Sequence, residues 1–199
     1  MVDYGDEQIV KLLNEYKRES RGNVYSGIKI RGDLYHFHEY FFMGKQLRIM
    51  IPLRFIDMPE EIIKVKYGHM FRPDVLMCSR DYAIDIMMNF TEKELSGDGI
   101  EKMIAEQVTI LKEIQPEYEI YEQKIEDNGY VQVGWFDYRA STIDIALYCM
   151  SFLFAINKKM VVGKFSCNMY RAKYWKTVIQ QMLYSINNEA RTLKENSND

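Results

Sequence analysis

The chain has 199 residues, the size of one ordinary domain or of a domain with a short appendage. Its composition, 47% hydrophobic and 28% charged, excludes a disordered or collagen-like chain. Lysine and arginine number 26 against 29 aspartates and glutamates, a formal net charge of −3. That near balance argues against a dedicated nucleic-acid binder, which needs a basic excess or a basic stripe.

The sequence carries no pattern that predicts secretion or a membrane span. Its first seven residues are acidic and polar, whereas a signal peptide has a basic start and an apolar core. The longest apolar run, 145–156, is too short to cross a bilayer. The cysteines, Cys78, Cys149 and Cys167, are odd in number and have apolar neighbours, as reduced core thiols do. We therefore expect a cytoplasmic protein, and the richness in Lys, Ile, Met and Tyr hints at an A/T-rich bacterial genome.

An amphipathic helix is predicted over residues 6–19, where apolar side chains recur at helical spacing opposite a charged face. A polar, arginine-rich link follows at 18–23. We expect three segments in the chain: the helix and link at 1–22, the main domain at 23–188, and a polar tail at 189–199 that is frayed.

The first half of the main domain is predicted to be mainly β. Short turns divide residues 24–52 into three strands of an antiparallel meander. Pro52 ends the third strand, and a brief helical turn follows at 57–61. The predicted strands of this half are 24–30, 34–43, 46–51, 75–79 and 83–90.

Helices and hairpins alternate in the second half. Asp98 and Glu101 have the spacing of a capping box, which predicts a helix that Pro116 closes. Asn128-Gly129 is a hairpin turn between two strands. Residues 143–156 are apolar on both faces, which is typical of a central strand covered on both sides. The remaining predicted elements are strands at 118–126, 130–140 and 160–167 and a helix at 170–187.

The order of these elements predicts an α+β fold. Hairpins predominate and no regular alternation of strand and helix occurs, so the sheet is antiparallel and flanked by helices. The helix at 6–19 is an addition to this outline.

His36 and His38 are the candidate metal ligands. They alternate on one predicted strand, so both rings would point to the same face, together with Tyr40 and Phe42. Such a pair can hold two positions of a zinc or iron site. The spacing supplies no third ligand, and aromatic neighbours favour a structural role.

No other constellation predicts catalysis. Ser26 and Lys29 match the S-x-x-K pattern of acyl-transfer enzymes but lie on a strand, where they point to opposite faces. Asp81 and Asp85 share a strand face but are too far apart for a glycosidase pair. Phosphate-loop, zinc-protease and nucleophile-elbow motifs are missing. We expect no enzyme and no cofactor.

Aromatic residues are unusually dense on two predicted strands. Tyr40 and Phe42 lie on one of them, and Trp135 and Tyr138 lie on the other. Tyrosine and tryptophan give large contact areas at a small entropic cost, so these four are the candidate binding residues. The alternative is an aromatic sheet core under two helices.

Three segments resemble the PsbP-like (Mog/PsbP) superfamily over about 24–186. They are the apolar strand, proline and aromatic residue of Leu47–Phe55, the Gly129–Phe136 strand that precedes a long apolar strand, and Trp175-Lys176 leading to Gln181–Ile186 in the last helix. The resemblance implies an α/β/α sandwich and a bacterial branch of the superfamily. Members are characteristically non-enzymatic and include photosystem II extrinsic subunits, a Ran-binding nuclear import factor and chaperones for type VI secretion effectors.

These observations together predict a non-catalytic cytoplasmic adaptor or chaperone-like protein that binds another polypeptide and no nucleic acid. The N-terminal helix would cap a sheet edge or mediate self-association. The alternatives are a small-ligand-binding or metal-binding protein, or a small enzyme, built on the His36/His38 strand.

Overall fold

The computed structural model describes residues 22–68, 72–141 and 145–189. The predicted helix at 6–19 and the polar tail beyond residue 189 lie outside the described residues. The helices are α1 (Glu60–Tyr67), α2 (Gly97–Ile114) and α3 (Ala172–Tyr184). The strands are β1 (Gly22–Asn23), β2 (Gly27–Ile30), β3 (Asp33–Tyr35), β4 (Phe37–Phe42), β5 (Leu47–Pro52), β6 (Ile56–Asp57), β7 (Val75–Cys78), β8 (Ile84–Glu94), β9 (Glu119–Asp127), β10 (Gln132–Ser141), β11 (Ala146–Ile156), β12 (Lys159–Asn168) and β13 (Asn187–Asn188).

A seven-stranded antiparallel sheet is the centre of the described fold. Its spatial order is β6-β7-β8-β12-β11-β10-β9. The β9–β10 hairpin turns at Asn128-Gly129, as the dipeptide predicts, with Gly129 at a φ of +86°. Asn157 and Lys158, both at positive φ, form the turn between β11 and β12. The chain is an α+β protein whose sheets are antiparallel.

The predicted meander of residues 24–52 is divided between two small sheets. β1, β2 and β3 form one sheet, whereas β4 pairs with β5 and β13 completes the other. The prediction of one continuous strand over 34–43 is therefore wrong. Tyr35 pairs with Ile28 and Phe37 pairs with Pro52, so the chain changes sheets at His36.

The two faces of the large sheet pack against different helices. β11 sends Tyr148 and Phe152 into a cluster that contains Trp175 of α3. It sends Cys149 and Leu153 into a second cluster, which contains Ile100 and Ile104 of α2. β11 is thus an interior strand buried on both faces, as its apolar run predicts.

Two predicted helix starts are shifted. α2 begins at Gly97 with Ser96 as its N-cap, so Asp98 lies in the first turn and not at the cap. The helical turn expected at 57–61 is instead the two-turn helix α1. In the described parts of the chain no helix combines the length and the apolar character required to cross a membrane.

Candidate functional site

Trp135 and Tyr138 belong to the core. Trp135 is fully buried and Tyr138 is 6% exposed. Trp135 lies in the cluster that contains Trp175 of α3, which we call the α3 cluster. Tyr138 stacks on Phe136 and Tyr118 on the opposite side of the sheet. Neither can offer a surface to a partner, because both faces of β10 are covered; for these two residues the core alternative holds.

Tyr40 and Phe42 are half-buried on the edge strand β4. Their rings stack with centroids 6.4 Å apart, and Phe42 contacts Phe90. Both pack against the α3 cluster and keep part of their surface exposed. Their role in binding stays a prediction.

His36 and His38 do not form the expected pair on one strand. His36 lies in the connection between β3 and β4, and His38 lies on β4 with its ring edge against Tyr40. Both side chains are exposed. Within the described ranges no group of three or more histidine, cysteine, aspartate or glutamate side chains is arranged to hold a metal ion.

The candidate site is built around a buried carboxylate on β10. Asp137 is fully buried and accepts three hydrogen bonds. The donors are Lys176 Nζ at 2.7 Å, the Tyr148 hydroxyl at 2.8 Å and the Glu122 backbone N–H at 2.9 Å. A buried charge needs such partners, since it has lost its hydration.

A β-bulge makes this arrangement possible. Asp137 is opposite Glu122 on β9, but the next residue, Tyr138, is opposite Ile120, so Tyr121 is the extra residue. Such a bulge leaves the ladder locally disrupted. The Asp137 carboxylate accepts the backbone N–H of Glu122 at this point.

Lys176 extends the network to the surface. Its ammonium lies 2.7 Å from Asp137 and 2.8 Å from Glu122, and 5.8 Å from the centroid of the Trp135 ring. Burial lowers the pKa of Lys176, but the hydrogen bonds and charges of the two carboxylates outweigh burial and raise it above its ordinary value. The lysine is therefore a cation at physiological pH and not a free base. On the same face, the Trp135 indole donates to Glu126.

Lys176, Glu122 and Glu126 line an open cleft of about 520 Å³ between β9 and α3. Its charged lining consists of Glu122, Lys124, Glu126 and Lys176. Tyr25, between β1 and β2, and Tyr184, at the end of α3, also line it and are 68% and 58% exposed.

The walls of the cleft are fixed to each other. The Asn128 amide of the β9–β10 turn donates to the carbonyls of Tyr184 and Ile186, at 2.8 and 2.6 Å. The backbone N–H of Val24 donates to Gln181 of α3. Lys176 of α3 also bonds to Glu122 of β9 and to Asp137 of β10. Hydrogen bonds therefore fix the shape of the cleft.

This site was not predicted from the sequence. An aspartate two residues after Trp135, in the otherwise apolar and aromatic run 133–138, was a signal of a buried charge. The bulge at Tyr121 and the contact with a helix about forty residues away depend on tertiary packing, which no local pattern encodes. Chemically the site offers paired charges, side-chain amides and exposed tyrosines.

Comparisons with known proteins establish the fold class. No protein-family model and no curated protein sequence matches the chain. The solution structure of cyanobacterial PsbP (CyanoP) from Synechocystis sp. PCC 6803 is similar at 10% identity, covering 76% of this chain and 92% of that one, with a TM-score of 0.53. A crystal structure of PA94, a protein of unknown function from Pseudomonas aeruginosa, is similar at 9% identity over 75% and 95% of the two chains, with a TM-score of 0.43.

The likeness to cyanobacterial PsbP confirms the predicted resemblance at the level of the fold. This chain has a PsbP-like α+β fold with antiparallel sheets. At 10% identity the likeness extends to the fold alone.

Proposed function

We propose that this protein is a non-catalytic adaptor that binds an extended, basic polypeptide segment in the cleft between β9 and α3. The proposal includes a cytoplasmic location, membership of a bacterial branch of the PsbP-like superfamily, and the superfamily's sandwich with helices over both sheet faces.

The observation that carries the proposal is the pair of exposed tyrosines at a rigid, charge-paired cleft. Tyr25 and Tyr184 are the lining residues with the largest exposed aromatic surface. Tyrosine side chains have few rotatable bonds and an amphipathic ring, so they bind partners at a small entropic cost. Because Lys176 is held by two carboxylates, the cleft supplies shape and polarity and no reactive group.

The position of β9 favours a polypeptide over a small molecule. β9 is the last strand of the large sheet and pairs only with β10 among the described residues. An exposed edge can add a strand from a partner through main-chain hydrogen bonds. The nine residues of β9 are largely exposed, and Glu122, Lys124 and Glu126 line the cleft beside this edge.

The charge of β9 favours a basic segment. The strand contains four acidic residues and one lysine. Charges on an edge strand discourage pairing with an uncharged edge, and an acidic edge repels acidic partners while it attracts basic ones. The expected partner is therefore an extended segment with lysine or arginine at alternate positions.

A peptide selection tests the proposal. Peptides are selected from a random display library on the folded protein, and their affinities are measured by fluorescence anisotropy. We expect basic, extended sequences whose binding weakens about tenfold in Tyr184→Ala, because a central aromatic anchor contributes more than 1 kcal/mol. Tyr170→Ala is the matched control, since Tyr170 has the same 58% exposure and lies outside the cleft.

Amide hydrogen exchange locates the bound peptide. We expect protection, on binding, of the β9 amides that are not already bonded to β10, because an added strand would pair with them. Equal affinities in the two tyrosine variants, selected peptides without basic residues, or unprotected β9 amides would each refute the proposal.

A further inference from the structure

A second cavity lies on the opposite face of the large sheet, beside the end of α1. On that face α2 packs over β10 and β11, and Ile63 of α1 packs with Leu76 of β7. Side chains of β12 lie between these two clusters and line a pocket of about 450 Å³. This volume is within the range of about 300–1,000 Å³ that small-molecule sites occupy.

Most charges at this pocket are already paired. Asp85 is buried and accepts hydrogen bonds from Lys66 Nζ at 2.7 Å, the Tyr67 hydroxyl at 3.0 Å and Ser166 Oγ at 2.6 Å. Asp81 pairs with Arg171 at 2.7 Å. The two carboxylates of the lining are thus each satisfied by a cation.

Lys164 is the exception. It lies on β12 opposite Met87 of β8 and Ser151 of β11, and it is half-buried. It precedes Ser166 by two residues, so both side chains point to the pocket side of the sheet. Within the described residues Lys164 forms no ion pair, whereas Lys66 across the pocket is bound to Asp85.

The Lys164 side chain is half-buried and its ammonium has no ion-pair partner among the described residues, so its charge is available to an anionic ligand. The rest of the lining near it includes apolar surface from Leu147 and Tyr82. A ligand that combines a negative charge with an apolar body would match both features, since its anionic group would pair with Lys164 and its body would cover Leu147 and Tyr82.

We propose that this pocket is a second ligand site, which binds a small organic anion through Lys164. The site is independent of the cleft between β9 and α3, because the two lie on opposite faces of the large sheet. The required chemistry is one carboxylate or sulfonate on an apolar body.

The fluorescent anion 8-anilinonaphthalene-1-sulfonate is a direct probe of this chemistry. We expect saturable binding to the folded protein, displaced by octanoate and not by the same concentration of octanol. Lys164→Met should weaken binding about tenfold, because a charge-assisted contact is lost, while Lys164→Arg should retain it. Lys45→Met, which removes the same charge at an exposed turn, should bind as the wild type does.

Three further controls keep the test decisive. Thermal unfolding shows that each variant is folded, and Lys164→Gln replaces the methionine variant should that one unfold. Tyr184→Ala should bind the probe normally, because that tyrosine lines the other cleft. The proposal is overturned when octanol competes as well as octanoate, when Lys164→Met binds like the wild type, when Tyr184→Ala loses binding, or when no saturable binding occurs.

Discussion

Asp137 follows Trp135 by two residues on β10, so both side chains point to the α3 side of the sheet. The indole fills the core there, whereas the carboxylate must be satisfied by hydrogen bonds. Tyr148 and the backbone of β9 supply two of them from within the sheet, and Lys176 reaches in from α3. The network therefore joins the helix to the sheet next to the cleft, which Lys176 and Glu122 line.

Replacing Asp137 with alanine should destabilise the protein more than the loss of an exposed ion pair does. The buried Tyr148 hydroxyl and the Glu122 backbone N–H would lose their acceptor, while Lys176 would keep only Glu122, and each buried donor left unsatisfied costs about 1–3 kcal/mol. Glu106→Ala is the control, because the Lys102–Glu106 pair is exposed and such pairs contribute about 0.5 kcal/mol. Urea unfolding followed by far-ultraviolet circular dichroism measures both losses, and similar values would contradict a supporting role for the Asp137 network.

Among the elements, the sequence patterns correctly predicted those strands, turns and helices that depend on neighbouring residues in the chain. The double-faced apolar run of β11, the Asn128-Gly129 turn and the apolar stripe of α2 each appear where the sequence indicates. The change of sheets at His36 was not predictable, because an aromatic run is compatible with either partner strand. The cleft was not predictable either, since its walls meet through the bulge in β9 and through contacts of α3 with residues far away in sequence.

The packing of β12 between β8 and β11 depends on the absence of a side chain at Gly163. A Cβ at this position would lie 2.3 Å from the Phe152 ring and 2.7 Å from the Met87 carbonyl oxygen, so β8 or β11 would have to move. Gly163→Ala should cost about 2 kcal/mol, as overpacking of a core does, and lower the midpoint of thermal unfolding by about 4–8 °C.

Gly99→Ala is the matched control for this substitution. Gly99 lies in α2, and the nearest atom to an added Cβ is the flexible end of Leu95 at 3.0 Å. Alanine favours a helix over glycine by up to about 1 kcal/mol, so the midpoint should stay or rise. Equal shifts in the two variants would show that β12 adapts to the extra methyl group.

In the whole molecule, the large sheet separates two polar sites. It also carries buried thiols. Asp137 lies on the α3 side of the sheet and binds Lys176 of the cleft, and Asp85 lies on the α2 side and lines the pocket. Cys149 and Cys167 are buried on neighbouring strands of the same sheet. Their environment sets how the stability of the whole fold responds to alkaline pH.

The protein should lose stability as the pH rises above about 9. Burial raises the pKa of Cys149 to about 11, and burial together with the nearby Cys149 raises that of Cys167 to about 12, from an ordinary 9.0. Between these values the unfolded chain releases thiol protons that the folded protein retains, so the free energy of unfolding falls by up to about 1.4 kcal/mol per pH unit for each thiol. Below pH 8 both thiols are protonated in both states and contribute no slope.

Urea unfolding at pH 8 and pH 10 measures this loss, and a Cys149→Ala, Cys167→Ala double variant separates these two thiols from other groups. Those groups include Cys78, whose pKa burial also raises and which both proteins keep. Burial also raises the pKa of Tyr148, whose effect begins near pH 10 and is shared by both proteins. The double variant should therefore start less stable at pH 8, because two buried sulfur atoms are removed, and lose less on going to pH 10. Parallel losses in the two proteins would mean that the alkaline response comes from other groups, and that these thiols titrate in the fold as they do in the unfolded chain.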